Sequence, residues 1–175
     1  MDKLNLENIE FRKAATGDIP AVWEILQQSI KRRKQDGSAQ WQDGYPNLET
    51  VKTDVEKGQN YILIQNGKII VTAAVIFNFE PTYEEIDGAW LTSGDFMVVH
   101  RVGIADEAAG KGFAQKLFRI LEDFAIENQI YSIKIDTNFD NLPMLKILEK
   151  LGYNYCGEIQ VRDGKRKAFE KVLND

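Results

Sequence analysis

A mixed α/β (α+β) fold, one central mixed sheet flanked by helices, follows from three features of the chain. Strand-like runs recur, alternating from Ile9 to Ala14, Phe96 to Ile104 and Tyr131 to Thr137 and more continuously apolar from Tyr61 to Gln65 and Lys68 to Phe79. Between them lie segments with apolar residues at helical spacing, the clearest being Phe113, Leu117, Ile120, Leu121 and Phe124. Two more alternating runs, joined at Asp163-Gly164, close the chain as a hairpin.

Taken in order, Ile9 to Ala14 is the first strand, and Thr16-Gly17-Asp18-Ile19-Pro20 caps and opens a helix carrying Val22, Ile25, Leu26 and Ile30. Asp36-Gly37-Ser38 ends that helix, and Trp41 to Tyr45 is a loop. Pro46 and Asn47 lead into a short helix through Leu48, Val51 and Val55 that stops near Gly58. Asn66-Gly67 turns a hairpin between Tyr61–Gln65 and Lys68–Phe79, because both residues accept the positive φ of the favoured two-residue turn. The fourth strand, Phe96 to Ile104, precedes a glycine turn and the central helix. After the strand Tyr131 to Thr137, the segment Asn141 to Leu151 is a helix with Pro143 in its first turn and Gly152 at its end. Tyr153 to Val161 and Lys165 to Val172 form the last hairpin. The predicted order is β-α-α-β-β-β-α-β-α-β-β.

A chain of 175 residues, 43% hydrophobic and 28% charged, fits a single domain spanning 1–175 that buries its own core. No apolar stretch approaches a membrane span, and the polar start Met1-Asp2-Lys3 does not read as a signal peptide, so no membrane partner and a cytoplasmic location are expected. Cys156 is the only cysteine and His100 the only histidine, which excludes an intrachain disulfide and a Cys/His zinc site; no metal is expected. Cys156 reads as a small buried residue on a strand. A formal charge of −5 argues against nucleic acid as the partner. The basic clusters Lys31 to Lys34 and Arg162 to Lys167 read as solvated surface.

The glycine turn Gly110-Lys111-Gly112 is the most informative element. At a helix start the first N–H groups lack intrahelical partners and point outward at the positive end of the dipole, which makes a seat for an anion. The small residues Ala108, Ala109, Gly110, Gly112 and Ala114 let a phosphate approach that backbone. A P-loop is excluded, since Phe113 follows Gly112 where a hydroxyl is needed; a dinucleotide fold is disfavoured by Gln115.

The order of elements and this turn resemble the GNAT N-acetyltransferase superfamily, and the likeness covers nearly the whole chain. The family's pyrophosphate segment, Arg/Gln-x-x-Gly-x-Gly/Ala, corresponds to Ala109-Gly110-Lys111-Gly112-Phe113-Ala114, with Ala109 at the first position. A second stretch, Asn141 to Tyr153, is similar to the family's Asn-x-x-Ala-x-x-Leu-Tyr-Glu-Lys-Leu-Gly-Phe, with Leu148 in place of the tyrosine that serves many relatives as thiolate acid. Trp41 to Asn47, Ile135 to Asn141 and Tyr155-Cys156-Gly157 look like a bacterial subgroup. The resemblance implies a GNAT-like acyl-CoA N-acyltransferase fold and an acetyl-CoA cofactor. It assigns Ala109, Gly110, Lys111, Gly112, Phe113 and Ala114 to the diphosphate. Val102, Gly103, Ile104, Asn138 and Asn141 fall to the pantetheine arm and thioester; Gly103 reads equally as a bulge or packing glycine.

The activity implied is direct acetyl transfer to a primary amine of a small molecule or protein, in a monomer or homodimer. A CoA-binding or sensing module with reduced catalysis is the alternative. An alkylammonium titrates near 10.4, so the nucleophile must lose a proton. His100 lies on the fourth strand, and imidazole is the side-chain type suited to accept a proton at neutral pH. The competing expectation is a strand histidine tied to backbone or to a neighbour such as Asp95. Tyr153 and Tyr155 are candidates for the thiolate acid, or else core and rim aromatics. Acceptor recognition is expected from Trp41 and Tyr45 in the first loop and from Tyr83, Glu84 and Glu85, carboxylates and aromatic faces suiting a cationic amine; a solvated loop explains the carboxylates as well.

Overall fold

In the computed structural model, which describes residues 8–174, the first alternating run forms β1 (Ile9–Lys13). The polar start at Met1-Asp2-Lys3 lies outside the described residues. Helix α1 (Ile19–Gln35) opens with Pro20 in its first turn, where the missing N–H costs nothing. Helix α2 (Leu48–Glu56) starts from a reciprocal cap: Thr50 N–H donates to Asn47 Oδ1 and Asn47 N–H to Thr50 Oγ1, each at 3.1 Å.

Strands β2 (Asn60–Gln65) and β3 (Lys68–Phe77) pair through Asn66 and Gly67, both at positive φ as the sequence predicts. A 3-10 turn, Pro81–Glu85, then leads to a two-residue strand, β4 (Asp87–Gly88), which the sequence reading treats as loop. It exists because Gly88 faces Gly157 backbone to backbone; a Cβ on Gly88 would stand 2.1 Å from the Cys156 carbonyl oxygen. Strand β5 (Met97–Ile104), helix α3 (Phe113–Glu127), strand β6 (Ser132–Thr137), helix α4 (Leu142–Lys150) and the hairpin β7 (Asn154–Val161) and β8 (Gly164–Val172) complete the chain.

The strands form one sheet in the order β1-β2-β3-β5-β6-β8-β7-β4. Alternation divides its faces. Tyr61 and Leu63 of β2 join the core under α3, with Val71, Ala73, Leu117, Phe118 and Leu121. Ile62 and Ile64 join Val22 and Leu26 of α1 and Val51 of α2 on the other face. Cys156 is buried on β7 as expected, and burial pushes its thiol upward. Among the described residues no helix is long and apolar enough to cross a membrane.

Two irregularities near the middle of the sheet create the site. The first is the parallel β5–β6 pair, which is hydrogen-bonded only at Met97↔Ile133 and Val98↔Lys134, after which the strands part. The second is a β-bulge. Ala74 stands opposite His100 but Thr72 opposite Gly103, so Arg101 and Val102 share one partner position, with Arg101 at φ 51°.

Candidate active site

The bulge decides where β5 side chains point. Strict alternation would send His100 and Arg101 to opposite faces; with the extra residue, both line one cavity of about 250 Å3. Val102 returns to the core under α3, and Gly103 faces α1.

His100 is held from two sides. Its Nε2 lies 2.7 Å from Glu80 Oε2, and its Nδ1 lies 3.8 Å from Asp136 Oδ2. Glu80 comes from the turn after β3, where its other oxygen accepts from the Thr82 hydroxyl at 2.8 Å. Burial pushes the Glu80 carboxyl upward, but hydrogen bonds from His100 and Thr82 outweigh it and hold the group below the usual carboxylate range. Asp136, from β6, accepts from the buried Tyr83 hydroxyl at 2.6 Å, and burial together with that carboxylate drives the phenol well above its ordinary value. In neutral imidazole a proton on Nε2 is donated to Glu80 and leaves the Nδ1 lone pair toward Asp136.

Arg101 forks onto Asp54 of α2 at 2.8 and 2.7 Å and donates to the Tyr45 hydroxyl at 2.6 Å. Burial works against its charge, yet Asp54 more than compensates and the guanidinium is held above its ordinary value. Arg162 stacks 3.7 Å from the centre of the Tyr45 ring and pairs with Asp43 at 3.2 Å. The loop carrying Trp41 and Tyr45 is thereby fastened over the cavity.

A second cavity, of about 420 Å3, runs from the end of β5, between α1 and α4, to the start of α3. Gly112 caps that helix in the left-handed conformation at φ 83°, with no side-chain cap, so the N–H groups of residues 113–115 precede the first intrahelical bond, Lys116 N–H to Gly112 O. Gly110, also left-handed at φ 73°, would extend a Cβ into open space. The cradle thus offers free amides, no obstructing side chain and a helix N-terminus, which fits a diphosphate. The two cavities meet at Arg33, Val102 and Met144.

Of the residues assigned to the cofactor from sequence, Val102, Ile104, Ala109, Gly110, Gly112, Phe113 and Ala114 line this groove. Lys111 does not line it. Gly103 is a packing glycine beside the bulge: a Cβ there would meet Leu26 Cδ2 at 2.9 Å. The Ile104 backbone is occupied, its N–H donating to Ser29 Oγ and its carbonyl accepting from Arg32. Asn141 caps α4 and donates to Gln40 Oε1 at 2.9 Å, which places it on the wall of the smaller cavity instead of the groove. Asn138, bonded to Gln40 and Asp140, lines neither.

Of the residues expected to recognise the acceptor, Trp41 and Tyr45 line the smaller cavity, whereas Tyr83 and Glu84 line another depression and Glu85 is exposed. Neither tyrosine proposed as acid reaches the site. Tyr153 turns into the core against Phe118 with its hydroxyl buried and unpartnered, and Tyr155 is more than half exposed against Phe169. Sequence reasoning missed Glu80, Asp136, Arg101, Arg33, Arg162 and Arg166. The two basic clusters read as solvated each turn arginine inward; Arg166 is 5% exposed.

The family model described as the acetyltransferase (GNAT) family matches residues 21–153. A GNAT-family acetyltransferase from Streptococcus agalactiae superposes with a TM-score of 0.87 at 31% identity, over 95% of this chain and 96% of that one. One from Listeria monocytogenes gives 0.76 at 17% identity, over 94% and 95%. A Salmonella typhimurium protein whose structure carries its cofactor acetyl-CoA gives 0.65 at 17% identity, over 95% of each chain. No curated protein sequence matches the chain. With three quarters of its length under the family model and a relative alike from end to end, the chain belongs to the GNAT family of acetyltransferases.

Proposed function

We propose that the protein is an acetyl-CoA-dependent N-acetyltransferase that moves the acetyl group directly to a primary amine held beside His100. The observation that carries this reading is the meeting of the two cavities at Val102 and Met144: an uncapped helix start closes one and an imidazole–carboxylate pair stands in the other. Bound acetyl-CoA supplies an activated acetyl thioester, so that an alkylammonium is converted to its N-acetyl amide with release of CoA thiol and one proton.

The chain's part is to hold, orient and deprotonate. Amides of residues 113–115 seat the diphosphate, and the parted β5 and β6 admit the pantetheine arm. Nδ1 of His100 accepts the proton that the ammonium must lose, and Glu80 on Nε2 stabilises the imidazolium that forms. Asp136 beside Nδ1 attracts the ammonium before it is deprotonated.

Thermal unfolding with acetyl-CoA, free CoA and no ligand tests the cofactor, since a ligand bound only by the folded state raises stability by mass action. Thiol release across a panel of primary amines tests the transfer. Stabilisation by CoA with no thiol release on any amine would replace this reading with a CoA-binding module. No stabilisation at saturating coenzyme would overturn both.

A further inference from the structure

We infer that the acceptor amine also carries a carboxylate, which binds at Arg33 while the amino group faces His100. This rests on the acetyltransferase reading above and specifies its acceptor. Four arginines line the smaller cavity, and three of them already have a carboxylate: Arg101 has Asp54, Arg162 has Asp43, and Arg166 has Asp163. Arg32, next to Arg33, has Asp106. Arg33 makes no ion pair among the described residues, and its Nε is buried without a hydrogen-bond partner. Its guanidinium carbon stands 5.9 Å from the Trp41 ring, on the cavity wall.

An unpaired, half-buried guanidinium is a costly arrangement that an incoming anion relieves. Burial and the neighbouring charge of Arg32 both act against the Arg33 cation, and Asp36, one turn along α1, acts for it without an ion-pair contact. Around His100 the charges have the opposite sign, Glu80 and Asp136. The cavity therefore offers carboxylates to an ammonium and a free guanidinium to an anion, the pattern that a small amino acid satisfies and a simple alkylamine does not.

Arg33 also borders the cofactor groove, so a coenzyme phosphate is the other source of an anion. The groove side of Arg33 carries the Asp36 carboxylate, and the phosphate cradle is built from backbone at the start of α3, which leaves Arg33 for the acceptor. The volume of about 250 Å3 suits a molecule of amino-acid size more than a folded protein's chain end.

The test compares amines of matched skeleton with and without the carboxylate: β-alanine against ethylamine, 4-aminobutanoate against propylamine, and phenylalanine against phenethylamine. Thiol release is measured for the wild type, Arg33→Gln and Arg33→Lys. In the wild type the best carboxylate-bearing amine should exceed its counterpart in kcat/KM by about tenfold or more, the worth of one charge-assisted hydrogen bond. Arg33→Gln should remove that preference with little change in the KM for acetyl-CoA, and Arg33→Lys should restore part of it. A binding arm covers slow turnover and any folding defect: with CoA present, N-acetylphenylalanine should stabilise the wild type against heat more than N-acetylphenethylamine does.

Equal or better use of the plain amines, or equal stabilisation by the two acetylated compounds, would overturn this inference and leave the acetyltransferase reading standing. A rise in the acetyl-CoA KM of Arg33→Gln, with acceptor preference intact, would assign Arg33 to the coenzyme phosphate instead.

Discussion

His100 Nε2 and Glu80 Oε2 stand 2.7 Å apart although the residues are twenty positions apart in the chain, on β5 and in the turn after β3. The pairing orients the imidazole and places a fixed negative charge behind it. His100→Gln should lower kcat at neutral pH by about 100-fold or more, the scale of general-base catalysis, with partial recovery as pH rises and free amine becomes abundant. Glu80→Gln leaves the imidazole in place without the charge, so a smaller fall in kcat, about tenfold, is expected with the acetyl-CoA KM unchanged. A His100→Gln enzyme with wild-type turnover across the pH range would remove the base role.

Asp54 answers a charge that cannot escape to water. Its side chain is 8% exposed and that of Arg101 13%, and their contact is bidentate. Asp54→Ala would leave the guanidinium buried with only the Tyr45 hydroxyl, a loss of about 3–5 kcal/mol that urea unfolding should register. Because Arg101 also holds Tyr45, the same variant should raise the acceptor KM more than that for acetyl-CoA.

The arrangement of strands and helices was legible because each element has a local signature: the stripe of α3, the Asn66-Gly67 turn and the Asn47 cap all act within a few residues. The groove was legible in part for the same reason, since Gly110 and Gly112 lie in one turn. The cavity beside His100 was not. Its shape depends on a bulge between Ala74 and Thr72, for which Gly103 is the one local sign and reads equally as packing, and its charges meet from five separate segments. Arg162 and Arg166 lie in a run that reads as surface because only the tertiary fold brings Tyr45, Asp43 and Asp136 to them. Tyr153 follows Gly152, and its ring turns against Phe118 of α3, a direction fixed by packing.

Gly103 and Gly110 belong to neighbouring segments and should fail differently. In Gly103→Ala the new methyl meets Leu26, Thr72 and Ile25 at 2.9, 3.2 and 3.3 Å, an overpacked contact that costs about 1–3 kcal/mol. Its CoA affinity should be retained once unfolding is corrected for. Gly110→Ala meets no atom within 4 Å but must keep φ near 73°, which costs about 1–2 kcal/mol or shifts the cradle, so CoA affinity should fall along with stability. Equal loss of CoA binding in both would return Gly103 to the cofactor site.

Acid should loosen the protein through carboxylates that are stabilised in the folded state. The Arg12 hydrogen bond holds Asp18 below its ordinary value of 3.8; for Asp140 burial acts upward, but bonds from Ser38, Ala39 and Asn138 prevail; Glu80 lies below 4.5 as described. For each, the unfolded chain binds its proton more readily, so stability falls as pH drops. The contribution is complete above the unfolded values, near 4.5 and 3.8, and is lost as pH descends through the lower folded values. Denaturant unfolding between pH 7 and pH 3 should therefore show a steady loss of stability below about pH 4.5. Asp140→Asn removes one of these groups, so its loss between pH 4.5 and pH 3 should be smaller than that of the wild type. An identical slope in the two proteins would mean that the bonds from Ser38 and Ala39 do not favour the ionised carboxylate.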